Sequence, residues 1–351
     1  MFGGYLLSYW LMILGRFIFG LGGECMAVCQ SCIIIKWFKQ RELALALSLA
    51  LGSNRIGSFL NSFLCPRLYQ VNKSFTLPLF VGLVLCGYSF VCAFFLTIMD
   101  KEADKREGKI SHVLIELEQE GKVIEERGKF EIFNKFGKVY WMLAAIFAIG
   151  YGSLLTLTGN ANDLLCKVFG ISSVEAGSYI TLIYIISSIC LPIIGIFIDK
   201  FGMRVYVLGL ALLCFLAVHL LLAFIDISIK FIFLLPICIC GIGFAFFGGS
   251  IWNTVSLLIP SESTGSSYGI LVSLMNIIFV LSPILYGNIH DQSLEYRNGY
   301  FWSEIFLSLM IFVSLCILIF VGILAKELNK PTKKNDVISS IRVSMSYMSH
   351  G

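Results

Sequence analysis

Nine uninterrupted apolar runs constrain this chain more than any other feature. They lie at about 8–35, 43–64, 77–98, 140–158, 176–198, 205–224, 231–257, 266–286 and 301–324. Each is about 20 residues or longer, the length an α-helix needs to cross the hydrocarbon of a bilayer. None alternates with period two, so the runs read as helices and not as barrel strands. The rest of the composition agrees. The 351 residues are 58% hydrophobic and 14% charged, with 30 Phe and 14 Tyr, about half the charge of an ordinary soluble protein. Such a chain cannot present a water-compatible surface. That excludes a soluble enzyme, a nucleic-acid-binding domain and a disordered scaffold. A net charge of +4 is too small to imply an anionic partner. Ten of the 12 Cys lie inside apolar runs, which suggests no disulfide framework.

The charges that do exist are sharply localised. Residues 100–138 hold nine Lys/Arg and ten Asp/Glu and read as a solvated linker with a short amphipathic helix near Val113–Phe133. This divides the chain into a partial N-terminal helix bundle (1–99), the linker (100–138), a six-helix bundle (139–325) and a disordered polar tail (326–351). Nineteen Lys/Arg fall on one alternate set of connections, including linker and tail, and five on the other. By the positive-inside rule the linker and C-terminus are cytoplasmic. The sequon Asn72-Lys73-Ser74 then lies on the far side.

Two motifs carry further information. Gly195-Ile-Phe-Ile-Asp199-Lys200-Phe-Gly202-Met-Arg204 joins the fifth and sixth runs. Asp199 ends one helix; its carboxylate suits a helix N-terminus or a neighbouring Arg, and holds a cytoplasmic gate in one state. The spacing resembles the G-x-x-x-D-[RK]-x-G-x-[RK] signature of the major facilitator superfamily. In the first run, Gly15-Arg16 through Gly20, Gly22 and Gly23 is similar to that family's fourth-helix R-x-x-x-G-x-G-G pattern. The resemblance implies an all-α polytopic fold of two helix bundles, in which the nine runs are equivalents of helices four to twelve. It implies that helices one, two and most of three precede the sequence given, with Met1–Leu7 the end of helix three.

Within the superfamily, the segments Gly15–Glu24, Ala27–Gln30, Trp37–Lys39, Arg41–Leu43 and Arg55–Ser58 look like the lysosomal dipeptide-transporter branch. So do Gly170–Ser173, Trp252 and Gly265-x-x-Tyr268-Gly269. That resemblance implies a uniporter of short peptides in lysosomal or other endomembranes, working with a glycosylated single-span accessory protein. The expected partners are therefore the lipid bilayer, a small-molecule or short-peptide substrate and that accessory protein, with no nucleic acid.

Candidate residues follow from charge at membrane depth, which is expensive and by default functional. Glu24 is 12 residues from Lys36, and Arg55 is 14 from Arg41. Both lie roughly 18–21 Å from the cytoplasmic ends of consecutive helices. A carboxylate and a guanidinium at one height suit a zwitterion. Glu24 takes the ammonium and Arg55 clamps the carboxylate; a Glu24–Arg55 salt bridge that binds nothing is the alternative. Trp252 and Asn276, with Asn253, stand in the other half as an aromatic wall with amides, or as helix-packing glue. Tyr151 marks a helix whose Gly150, Gly152 and Gly159 permit bending. Arg16 reads as a structural or gating ion pair with Glu24; Asp199, Lys200, Gly202 and Arg204 read as the gate. His219 reads as an interhelical hydrogen bond. Cys29-x-x-Cys32 reads as packing, and Gly241, Ala245 and Gly249 as a close-contact stripe. No dinucleotide or phosphate-binding loop, catalytic triad or zinc motif occurs, so neither a catalytic residue, a metal nor a cofactor is expected. The function expected is alternating-access transport of dipeptides or amino-acid-like zwitterions, uniport or proton-linked. The alternatives are a facilitator of another solute (organic anion, sugar or drug) and a non-transporting membrane partner.

Overall fold

The computed structural model describes residues 9–38, 42–73, 76–106, 136–224, 231–259, 264–294 and 299–330. Among them are nine helices long and apolar enough to cross a membrane. They are α1 (Tyr9–Trp37), α2 (Leu43–Asn72), α3 (Thr76–Arg106), α4 (Lys138–Phe169), α5 (Ser173–Phe201), α6 (Arg204–Phe224), α7 (Leu234–Ser256), α8 (Thr264–Gln292) and α9 (Tyr300–Leu324), followed by a 3-10 turn at Lys326–Asn329. The expected amphipathic helix at Val113–Phe133, the Met1–Leu7 end and the tail beyond Lys330 lie outside the described residues.

The chain packs as two units, residues 1–20 with 67–135 and residues 21–66 with 136–351. In the first, none of the described side chains on α3 or on Tyr9–Gly20 is buried. A helix that is apolar all round and buries nothing presents its whole circumference to the surroundings, which suits a bilayer.

The second unit holds the core, and small residues set its helix contacts. A Cβ on Gly241 would lie 2.9 Å from Ile186, and one on Gly249 2.8 Å from Ile194, so the Gly241–Ala245–Gly249 stripe seats α7 on α5. Gly243 lets α7 approach Phe215 of α6 in the same way. Gly150 and Gly152 leave space for the Phe247 ring of α7 and for Ile278 of α8. They serve close approach within α4, which is continuous over 32 residues. That helix, about 48 Å long, outruns the apolar segment that suggested it. Its polar end is tied to the next helix: Asn162 donates to the Ser173 carbonyl at 2.9 Å, and the Ser173 hydroxyl donates back at 2.9 Å. Gly170 ends α4 in the left-handed region, and a Ser172–Glu175 capping box opens α5.

Part of α2 belongs to this unit. Ala44, Ser48 and Gly52, spaced four apart, form a small-residue face against α5. The Ser188 hydroxyl donates to the Gly52 carbonyl at 3.1 Å, and a Cβ on Gly195 would lie 2.8 Å from the Leu45 Cα. Packing therefore groups α2 up to Pro66 with the six helices after the linker.

Candidate functional site

The site is built where α2, α4, α7 and α8 meet. Phe147 and Tyr151 lie one turn apart on α4; Phe244, Gly248 and Trp252 follow at steps of four on α7. This spacing places each set on one helix face. Tyr151 packs against Phe247 and Phe244 with ring centroids 5.1 and 6.3 Å away. The Trp252 indole N–H donates to the Tyr151 hydroxyl at 3.0 Å. Tyr268 of α8 stacks on that indole at 5.2 Å and 20°, and donates to the Trp252 carbonyl at 3.1 Å. The wall is thus held from several directions.

Arg55 of α2 lies on this wall. Its guanidinium carbon sits 3.5 Å over the Phe244 ring, a cation–π geometry, and it lies within electrostatic reach of the hydroxyls of Tyr151 and Tyr184. Its Nε is buried without a hydrogen-bond partner. Among the described residues no carboxylate lies within 4 Å of it. Beside it, Gln30, Ser31, Asn54 and Trp252 border a recess of about 50 Å³, room for about a water or two.

Of the five residues singled out as substrate-binding, the structure brings together Arg55, Tyr151 and Trp252. Glu24 is exposed on α1 and forms no ion pair with Arg55. Their similar depths follow from counting residues, but the azimuth of each helix decides which way a side chain points. Asn276 is half-buried on α8 and hydrogen-bonds none of the three. Asn253 spends its amide N–H on the Gly249 carbonyl of its own helix.

A second polar assembly lies at one end of α5. The two oxygens of Asp199 accept from the backbone N–H groups of Ala44 (3.2 Å) and Leu45 (3.0 Å) at the start of α2. These donors have no partner within their own helix, and the carboxylate opposes the positive end of the helix dipole. Gly195, one turn earlier, allows the approach. Gly202 takes φ +73° and Met203 φ +51° in the turn that follows. Arg204, 3% exposed, donates to the carbonyls of Leu328 (3.3 Å) and Lys330 (2.9 Å). Asn329 accepts from the N–H of Val205 through its side chain and from that of Met203 through its carbonyl. Residues 326–330, which the sequence assigns to a disordered tail, are therefore folded onto the α5–α6 turn. The reason is a hydrogen-bonding match that hydropathy does not report. Lys200 is exposed beside the Phe201 ring. Arg16 is exposed on α1, with no ion pair among the described residues.

One buried acid escaped the sequence reading. Glu304, 0% exposed, stands on α9 against His219 of α6. Its position four residues into an apolar run is the available signal.

Comparison with known proteins places the chain. The Major Facilitator Superfamily profile matches residues 1–283. Lysosomal dipeptide transporter MFSD1 of Gallus gallus is 30% identical over 97% of this chain and 75% of its own length. The proteins of the same name from Bos taurus and Homo sapiens are 29% and 28% identical, over 89% of this chain and 65% of theirs. The chain thus spans less than two thirds of the bovine and human relatives. With nine helices among the described residues long and apolar enough to cross a membrane, and a profile match over most of its length, this chain belongs to the major facilitator superfamily and is a multi-pass membrane protein.

Proposed function

We propose that the transported solute is a dipeptide or a similar zwitterion, moved by alternating access of two helix groups around the Arg55 wall. The carrying observation is a buried guanidinium with aromatic and hydroxyl neighbours and no carboxylate against it. A buried cation without a counter-anion is costly, and a substrate carboxylate supplies one. Arg presents a fork that accepts it bidentately. Trp252 borders the adjoining recess with an apolar face, which tolerates varied side chains. Similarity to lysosomal dipeptide transporters supports a peptide substrate and a lysosomal membrane.

The gate reading completes the cycle. Asp199 clamps the first turn of α2, and Arg55 lies 11 residues along the same helix, about 16 Å away. Release of the clamp lets α2 tilt and carries Arg55 with it. Charge asymmetry supports a cytoplasmic placement for this clamp, the linker and the C-terminus. Glu24 then takes the ammonium in the part of the cycle where α1 turns it inward. The single-span accessory protein belongs to the same proposal and is tested by co-purification.

The experiment is uptake into proteoliposomes of a dipeptide, its C-terminal amide and its N-acetyl form. We expect the amide to lose at least about tenfold in uptake, because hydrogen bonds to charged groups are worth about 1.5–3 kcal/mol. The acetylated form loses as much in the native protein and nothing further in Glu24→Gln. Equal uptake of amide and free acid overturns the assignment of Arg55, and stimulation by organic anions lacking an amine favours an anion carrier.

A further inference from the structure

The short segment after α9 is built to fit the turn between α5 and α6. Ala325 and Leu328 are 0% and 6% exposed, and the 3-10 turn Lys326–Asn329 presents its carbonyls to that turn. The start of α6 lacks what the segment offers. Helix α6 begins at Arg204, and Met203 occupies its N-cap position: the Met203 carbonyl accepts from the Val207 N–H at 3.0 Å. Methionine has no side-chain oxygen, so the N–H groups of this first turn have no cap from their own N-cap residue. Asn329 supplies one from 124 positions away. Its side-chain oxygen accepts from the Val205 N–H at 3.0 Å, the bond that an N-cap side chain makes to the second or third helical residue. Its carbonyl accepts from the Met203 N–H at 2.9 Å.

The turn so capped is strained. Met203 has φ +51°, a left-handed conformation that is costly for a residue with a Cβ and persists where its surroundings impose it. Gly202 precedes it at φ +73°, and a Cβ there would collide with the Asn329 carbonyl and the Lys330 backbone. Asp199 lies four residues before Met203 and grips the N–H groups of Ala44 and Leu45. One turn therefore holds the start of α2 on one side and is itself held by the segment after α9 on the other.

We infer that Lys326–Lys330 is a strap that locks the α5–α6 turn in the conformation in which Asp199 grips α2, and that lifting the strap opens the grip. With the strap seated, Asn329 caps α6 and keeps Met203 left-handed. With the strap lifted, the cap and the two carbonyl acceptors of Arg204 leave together. Met203 then relaxes to the right-handed region, and the turn rotates Asp199 away from Ala44 and Leu45. The fastening is small: carbonyls of three consecutive residues, one amide oxygen and the Leu328 side chain. Its release leaves the glycine-seated contacts of α5, α6 and α7 in place. The consequence for transport rests on the Asp199 clamp being the gate proposed above; the seated strap is then an autoinhibitory contact.

The test needs no solute. Amide hydrogen exchange is followed in the purified full chain in detergent and in three variants. Asn329→Ala removes the capping oxygen and keeps the backbone carbonyl. We expect exchange to quicken about fivefold over residues 203–208, the effect of losing one helix cap, and by a similar factor over residues 43–47, with residues 234–256 of α7 unchanged. Asn329→Asp keeps an acceptor oxygen at the same helix start and restores native exchange in both places. Leu328→Ala removes the buried anchor instead and gives the Asn329→Ala pattern by a second route. Quickening at 203–208 without quickening at 43–47 makes Asn329 a cap alone and overturns the strap. Equal quickening in α7 overturns it as well, since overall stability then explains the effect, and so does native exchange in both Asn329→Ala and Leu328→Ala. None of these outcomes bears on Arg55, whose assignment stands or falls on dipeptide uptake.

Discussion

Arg55 and Arg204 both carry a guanidinium away from water, and the chain treats them differently. Arg204 donates to two backbone carbonyls of the segment after α9 and lies within electrostatic reach of Asp199. Arg55 rests on an aromatic ring within electrostatic reach of the Tyr151 and Tyr184 hydroxyls, with no carboxylate within 4 Å among the described residues. The first is an internal fastening: its charge is answered by the protein's own atoms. The second has no carboxylate against it among the described residues. Buried charge alone therefore does not mark a binding residue in this chain; the marker is buried charge left unanswered.

The comparison breaks most visibly through the two arginines themselves. Removing the partner of a desolvated carboxylate costs about 2–5 kcal/mol, so Arg55→Ala should reduce dipeptide uptake roughly thirty- to five-thousandfold at low substrate. Arg204→Ala should leave KM within about twofold and instead expose the segment near Lys330 to limited proteolysis. Equal effects on KM would erase the distinction.

A smaller effect is expected at the α2 clamp. Asp199→Asn keeps one acceptor oxygen and loses the charge that opposes the helix dipole, a change of about 1–2 kcal/mol. Amide hydrogen exchange over residues 43–52 should accelerate roughly tenfold, while exchange in α9 is unchanged. Acceleration spread evenly over both helices would show that Asp199 holds overall stability and not a local gate. The smallest effect concerns the wall. Trp252→Phe keeps the aromatic face but deletes the N–H that anchors Tyr151, worth about 1 kcal/mol. KM for a dipeptide should rise about fivefold with maximal rate little altered; an unchanged KM would remove Tyr151 from the site.

The legibility of the fold and of the site differ for a physical reason. An apolar run in a bilayer must satisfy every backbone group within itself, so hydropathy alone locates α1 to α9. Depth is equally readable, because rise per residue is constant. Direction around the helix axis is not. Glu24 and Arg55 have similar depths, yet one is exposed and the other lies over Phe244. Likewise Gly150 and Gly152 read as hinges until Phe247 and Ile278 are seen filling the space above them. Glu304 was legible as an acid in an apolar run, but its meaning depends on His219, 85 positions earlier on a helix with no matching signal.

The amino-acid sequence by itself determined the nine membrane-crossing helices among the described residues, a charge-rich segment after the third and a Gly195–Arg204 turn rich in polar groups. Exclusion from water and internal hydrogen bonding leave no other arrangement for such runs. Tertiary structure decided which polar groups answer one another: Asp199 with the start of α2, Arg204 with the chain after α9, His219 with Glu304, and Arg55 with no acid among the described residues. Those choices depend on how small residues such as Gly195, Gly241 and Gly249 let helices distant in sequence come into contact, and only packing sets that rotation.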